Sequence, residues 1–336
     1  MPTTKWANWE VNWDLDTTDL SGLRIGRCYF NGIKVLHAAG QPFVLVPYHG
    51  ENPVFKDGIT HQGAAYHPVK KTAPNAFPLP PGNAWMVGSN INDFVQVDLN
   101  PATNIEPASI EIWAKFQPGN YQYVHRWEFM ADGSIDVQVG LGARLFQFDP
   151  PTASHIHHFY FRMDFDIDGA ADDIVERFSH QGNQPGRDKW SPILVESKEL
   201  VDPLAFTKWR VRNKIAKDGG TPDERYLSYE IIPGSDANRD GYSTGDLWVV
   251  RYFDGWGAEV GKTDAALEGP PYMNGQSIDG QDVAIWYALH SHHEPRLQPG
   301  EESKVVPYHF IGFHIQPRNF LAETPLNLYT TIPPSP

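Results

Sequence analysis

Residues 153–169 read Ala-Ser-His-Ile-His-His-Phe-Tyr-Phe-Arg-Met-Asp-Phe-Asp-Ile-Asp-Gly and concentrate much of the chain's chemistry in one stretch. Aromatic and apolar side chains recur there at near-alternate positions with no helical period, which predicts one long β-strand. Residues two apart on a strand share a face, so His155 and His157 project together and His158 points the other way. Two imidazoles on one rigid face suit a transition metal. The same alternation gathers Asp164, Asp166 and Asp168, an oxygen set of the kind hard cations take. Taken alone, the stretch fits equally well a sandwich strand whose polar residues face solvent. A second group, His290-Ser-His292-His293, closes the strand that starts near Asp282. Laid beside His155 and His157 across a sheet, one of these histidines completes a three-nitrogen site. Imidazoles without thiolate suit Cu(II) or Zn(II), and three histidines with open positions mark a catalytic rather than a sealed site. Asp236-Ala-Asn238-Arg-Asp240-Gly241 imitates the start of a calcium loop, but its twelfth position is Leu247, so it reads as a polar turn.

Strands must position these groups. Short apolar runs alternate with turn residues over 9–16, 23–30 and 42–48, and again over 109–116 and 121–130, where Ala131-Asp132-Gly133-Ser134 makes an Asp-Gly turn. Further strands are expected over 226–232, 246–253, 283–289 and 308–315. Residues 49–86 read as irregular, carrying His49, Asp57, His61 and His67, and prolines in 73–83 block sheet pairing. Residues 169–190 are polar, with room for one short helix. No fixed-period repeat and no clean linker interrupts 336 residues, so the chain reads as a single antiparallel all-β domain over 1–336.

Composition narrows the function classes. Eleven Trp and 13% aromatic residues exclude a disordered chain, and 29 Gly with 29 Pro favour turns over long helices. A net charge of −14 without a basic block argues against nucleic acid and anionic membrane surfaces as partners. The one cysteine, Cys28, allows no intrachain disulfide. The N-terminus has no apolar signal core and no later run is long enough to span a bilayer, so the expected location is cytoplasmic.

Several of these motifs, in order, resemble the catalytic domain of the copper amine oxidases. His155-Ile-His157 runs through Arg162 to Asp164-Phe165-Asp166-Ile-Asp168-Gly169, similar to the family's His-x-His strand and its Asp-x-Asp-x-Asp-Gly. Asn120-Tyr121-Gln122-Tyr123 resembles the family's Asn-Tyr-Asp/Glu-Tyr, and His293-Glu-Pro-Arg296 resembles its third copper histidine. Leu247-Trp-Val-Val-Arg-Tyr252 and Gly312-Phe-His-Ile-Gln-Pro-Arg-Asn-Phe-Leu321 match two more of its strands, so the resemblance runs over roughly 40–326. It implies a large antiparallel β-sandwich, a supersandwich, without the family's small N-terminal domains. It also implies copper on His155, His157 and His293, and topaquinone made from Tyr121 with Asn120 beside it. Tyr48, in Val46-Pro47-Tyr48, would hold the quinone ring. A second cation such as calcium would sit on Asp164, Asp166, Asp282 and the carbonyls of Phe165 and Val283. The implied partners are O2, a small-molecule substrate such as a primary amine, and a second copy of the chain as a homodimer.

One departure stands out. The family's general base lies fourteen residues beyond the Val-Pro-Tyr tyrosine, and that count reaches Gln62. An amide has no useful basicity, and losing a general base costs on the order of 10²–10⁴ in rate. Asp57 or His67 can replace it only by moving in through the loop. The acidic residue after the quinone tyrosine is also replaced, by Gln122. The expected function is a copper- and O2-dependent oxidoreductase with weak activity on simple amines. One alternative is a copper enzyme performing a different oxidation in a biosynthetic pathway, with or without the quinone. The other is a non-catalytic metal-binding protein on this fold.

Overall fold

The computed structural model describes residues 1–16, 21–48, 54–59, 65–69, 93–119, 121–143, 155–180, 189–214, 226–234, 239–293 and 308–321. Nearly all of them lie in two antiparallel sheets. The first runs in the order Thr3–Trp6 (β1), Trp9–Asp16 (β2), Gly22–Phe30 (β3), Ile33–Pro47 (β4), His155–Phe165 (β11), Val283–His293 (β18), Leu247–Arg251 (β17) and Ser197–Glu199 (β14). Val54–Gly58 (β5) pairs with the far end of β4. The second runs Lys189–Ile193 (β13), Asp173–Ser179 (β12), Lys208–Asn213 (β15), Ser228–Ile232 (β16), His309–Arg318 (β19), Ile135–Ala143 (β10), Tyr121–Met130 (β9), Ser109–Gln117 (β8) and His67–Val69 (β6). Val95–Asn100 (β7) adds to β8. Helical structure among the described residues is confined to short 3-10 turns, such as Pro203–Ala205 and Asp264–Glu268. No helix there is long and apolar enough to cross a membrane.

The sheets stack face to face, and aromatic rings fill the space between them. Phe161 of β11 meets Trp127 of β9 at 6.3 Å and Phe313 of β19 at 5.3 Å between ring centroids. Tyr287 of β18 lies 4.6 Å from Phe313 and 6.4 Å from Trp209 of β15. The outer face of β11 and β18 is buried too, in a second cluster holding Phe43, Tyr160, Trp248, Tyr272 and Trp286. That explains the unbroken Phe159-Tyr160-Phe161: odd residues enter the core between the sheets and Tyr160 enters the outer cluster. Arg162 shares the outer face, 2% exposed. Its guanidinium donates to the Phe253 carbonyl at 2.8 Å and lies over the rings of Tyr252 and Trp256.

Most expected strands are present, and the Asp-Gly turn at 131–134 joins β9 to β10. Gly133 there has φ +89°, and a Cβ would fall 2.5 Å from the Phe30 ring, so only glycine fits. Two expectations fail. The polar segment 169–190 holds no helix among its described residues; it forms strand β12, where Val175 enters the core between the sheets while Glu176, on the opposite face, accepts from Arg210 and Arg212 of β15. Within 49–86, expected to be irregular, β5 and β6 form short strands on the margins of β4 and β8.

His125 on β9 is fully buried between the rings of Phe116 and Tyr66, and neither ring nitrogen has a hydrogen-bond partner. Burial pushes its pKa down from 6.5 to about 3. A folded pKa below the unfolded one means the unfolded chain takes the proton first, so stability is lost as pH falls below 6.5. Between pH 7 and 5 this one ring costs about 2 kcal/mol. In urea unfolding at both pH values, His125→Leu should lose that much less stability than the parent chain.

Candidate metal and active site

The pairing of β11 with β18 sets His155 directly opposite His293. His157 lies two residues along β11 on the same face, so three imidazoles converge, with ring centroids 5.0–5.3 Å apart. One nitrogen from each lies within 4.8 Å of the others, and all three residues are buried. His155 Nε2 and His157 Nε2 are 3.1 Å apart, close to the spacing of two nitrogens bound at about 2.0–2.1 Å to one ion with a near-right angle between them. His293 Nδ1 is buried without a hydrogen-bond partner. Burial first, and then the neighbouring rings, holds His157 well below its usual range and His293 down at about 3. These are neutral rings with lone pairs to give, and they fit a copper ion.

Of the remaining histidines expected near the site, the structure brings in none. His292 is exposed. His158 and His290 face each other across the same two strands on the outer face, with Nδ1 atoms 2.8 Å apart. His290 Nε2 donates to Asp246 at 3.1 Å, and His158 lies 3.1 Å from Asp240. Asp240 comes from the stretch that imitates a calcium loop; residues 235–238 of that stretch lie outside the described residues, and Asp240 serves as an anion beside His158.

Tyr121 begins β9 immediately after a turn in which its N–H donates to the Pro118 carbonyl at 3.0 Å. Its hydroxyl lies 3.2 Å from His155 Nε2 and 2.6 Å from the Tyr48 hydroxyl. Its ring centroid is 4.8 Å from that of His157 and 5.6 Å from that of His293. A phenol oxygen therefore points at the place where the three histidines converge, and Tyr48, on the residue after β4, fixes it. Burial keeps Tyr48 neutral by raising its pKa to about 12, against the lowering effect of the Tyr121 hydrogen bond. Gln122 points away and accepts from the Tyr308 hydroxyl at 2.6 Å. Asn120 and Gln62 lie outside the described residues.

Asp57 was expected in a loop. It stands on β5 opposite Val44, 5% exposed, and accepts at 3.2 Å from the hydroxyl of Tyr123. His67, the other loop candidate, is half-buried on β6 opposite Gln117. Neither the strand that carries Asp57 nor the part played by Tyr123 was anticipated, although Tyr123 follows Tyr121 by two and must share its face.

At the opposite end of the β11–β18 ladder, Asp164, Asp166 and Asp282 bring carboxylate oxygens within 4.8 Å of one another. Phe165 and Val283 face each other there across the two strands. Both oxygens of Asp164 are buried without a hydrogen-bond partner. Burial, opposed by Arg162 but reinforced by Asp282 and Asp166, raises Asp164 to about 8, and Asp282 rises to about 6. Lys34 Nζ donates to Asp166. Asp168, expected to join this group, instead sits exposed in a turn with φ +61°, because the strand stops at Phe165.

Residues 151–332 match the family model described as copper amine oxidase, enzyme domain. The chain is 24% identical over 262 residues to the copper-containing amine oxidase gamma 2 of Arabidopsis thaliana, covering 62% of this chain and 37% of that protein. It is 25% identical over 245 residues to histamine oxidase of Arthrobacter globiformis, covering 62% and 35%. The match thus spans little more than a third of these relatives' own length. Among solved structures, the fold resembles a copper-containing benzylamine oxidase from Hansenula polymorpha with a TM-score of 0.69 at 17% identity, over 97% of this chain and 61% of that one. With more than half of its residues matching the enzyme-domain model, three convergent histidines and this sandwich, the chain belongs to the copper amine oxidase family.

Proposed function

We propose that this protein is a copper- and O2-dependent oxidase in which copper sits on His155, His157 and His293 and the Tyr121 ring is the precursor of a topaquinone. The observation that carries this reading is the Tyr121 hydroxyl, set between His155 Nε2 at 3.2 Å and the Tyr48 hydroxyl at 2.6 Å. Bound copper supplies one-electron chemistry with O2 beside that phenol. The protein's own part is to hold the ring still and exclude water, and Tyr48, Tyr123 and the three imidazoles surround Tyr121 between the two sheets. The substrate class is a small primary amine, and the working unit is a homodimer of single β-domains. Position 62 holds an amide where the family resemblance places the general base, so turnover of simple monoamines is slow.

Metal-free protein reconstituted with Cu(II) in air should develop a visible quinone band that reacts with a hydrazine, and Tyr121→Phe should bind copper without it. Copper binding with no band in the parent chain would favour the reading in which the copper site performs another oxidation. Gln62→Asp should raise kcat on a simple monoamine on the order of 10²-fold or more, measured as aldehyde release.

Asp164, Asp166 and Asp282, with the carbonyls of Phe165 and Val283, form the proposed second site for calcium or a similar hard cation. The folded-state pKa of Asp164 is raised from 3.8 to about 8, so ionising it costs stability progressively as pH rises through that window. A dication offsets the cost only where the carboxylate is charged. Added Ca²⁺ should therefore raise the melting temperature more at pH 8 than at pH 5, and Asp164→Asn should lose most of that difference.

A further inference from the structure

Tyr123 follows Tyr121 by two residues on β9, and their rings stand parallel within 8° with centroids 6.2 Å apart. The Tyr123 hydroxyl touches two buried groups: Asp57 Oδ2 at 3.2 Å and His157 Nδ1 at 3.1 Å. With Asp57 ionised, the protons along this chain have one arrangement. An ionised carboxylate only accepts, so Tyr123 gives its single hydroxyl proton to Asp57. Its oxygen is then an acceptor, and the group facing it, His157 Nδ1, must carry a proton. A neutral imidazole has one proton to place, so Nε2 keeps the lone pair, and Nε2 is the atom that faces His155 Nε2 at 3.1 Å.

We propose that Asp57, acting through Tyr123, is the positioning residue that fixes His157 in the tautomer able to bind copper. The inference rests on the reading of His157 as a copper ligand. Asp57 is well placed for the task. It sits on β5, a strand held to β4 by a five-residue ladder from Phe43↔Gly58 to Pro47↔Val54, so its carboxylate is anchored by sheet pairing. Partners behind metal-bound histidines set ring orientation and tautomer in this way, and removing one costs roughly 10–100-fold in metal affinity. Asp57→Leu removes the acceptor. The phenol proton then turns to its remaining partner, His157 Nδ1, and the ring proton moves to Nε2, where a metal has to displace it.

The deciding measurement is the His157 tautomer in the metal-free protein, read by 15N chemical shifts and long-range 15N–1H couplings of histidine-labelled chain. The parent should show Nδ1–H, and Asp57→Leu should show Nε2–H. A parent with Nε2–H, or a tautomer unchanged in Asp57→Leu, overturns the proposal. Copper affinity by chelator competition adds a second arm, using Tyr123→Phe, which breaks the chain while keeping the carboxylate. Both single variants should weaken Cu(II) binding roughly 10–100-fold, and the double variant should be no weaker than either, since they cut one chain. Additive losses overturn a shared path. Failure of the parent to bind copper at all would sink the copper reading and leave the tautomer result standing on its own.

Discussion

Everything at the centre depends on the register between β11 and β18. That ladder sets His155 against His293 at one end and Phe165 against Val283 at the other, with no bulge between. Side chains alternate strictly along such a pair, so the register alone decides which histidines meet. Two of the candidate ligands come from neighbouring turns of the pleat on β11 and the third from straight across. No loop is needed to bring them together. A site built on paired strands holds its geometry before any ion arrives, because the backbone hydrogen bonds that define it belong to the sheet.

The same ladder ties the two groups of ionisable residues into one frame. At a rise of roughly 3.4 Å per residue, the histidines and carboxylates stand at opposite ends of an 11-residue strand. Between them the strand is apolar on the inner face, with Phe159, Phe161 and Met163 fully buried. The outer face carries the His158–His290 pair, with His290 bonded to Asp246 and His158 3.1 Å from Asp240. Here Trp248, Trp286 and Tyr272 cover that face, so these contacts work in a dry setting, where hydrogen bonds are electrostatically stronger.

Much of this was legible in the sequence. The period-two pattern gave the strands, and the shared parity of His155 and His157 gave their common face. That one histidine of 290–293 joins them needed only the guess that two histidine-bearing strands pair, and the choice of His293 came from the family resemblance. What stayed hidden has physical causes. Asp57 is separated from Tyr123 by 66 residues, and β5 is five residues long without strong alternation, so no local signal places it. Asp168 misled because parity holds only while the strand lasts, and the chain turns just after Phe165. The strand at 173–179 was masked by its charge: Glu176 lies on a polar face where it accepts from Arg210 and Arg212, a pairing invisible in one dimension.

Arg162 has a consequence for fidelity. β11 carries three histidines within four positions, and a slip of one residue would exchange the inner set for His158 and its neighbours. The same slip would drive the Arg162 guanidinium out of its niche beneath Phe253, Tyr252 and Trp256 and into the aromatic layer between the sheets. An unpaired buried charge there costs on the order of several kcal/mol. This arginine is thus a proofreader of strand alignment: it penalises the odd-residue slips that would present the wrong imidazoles to the candidate metal site.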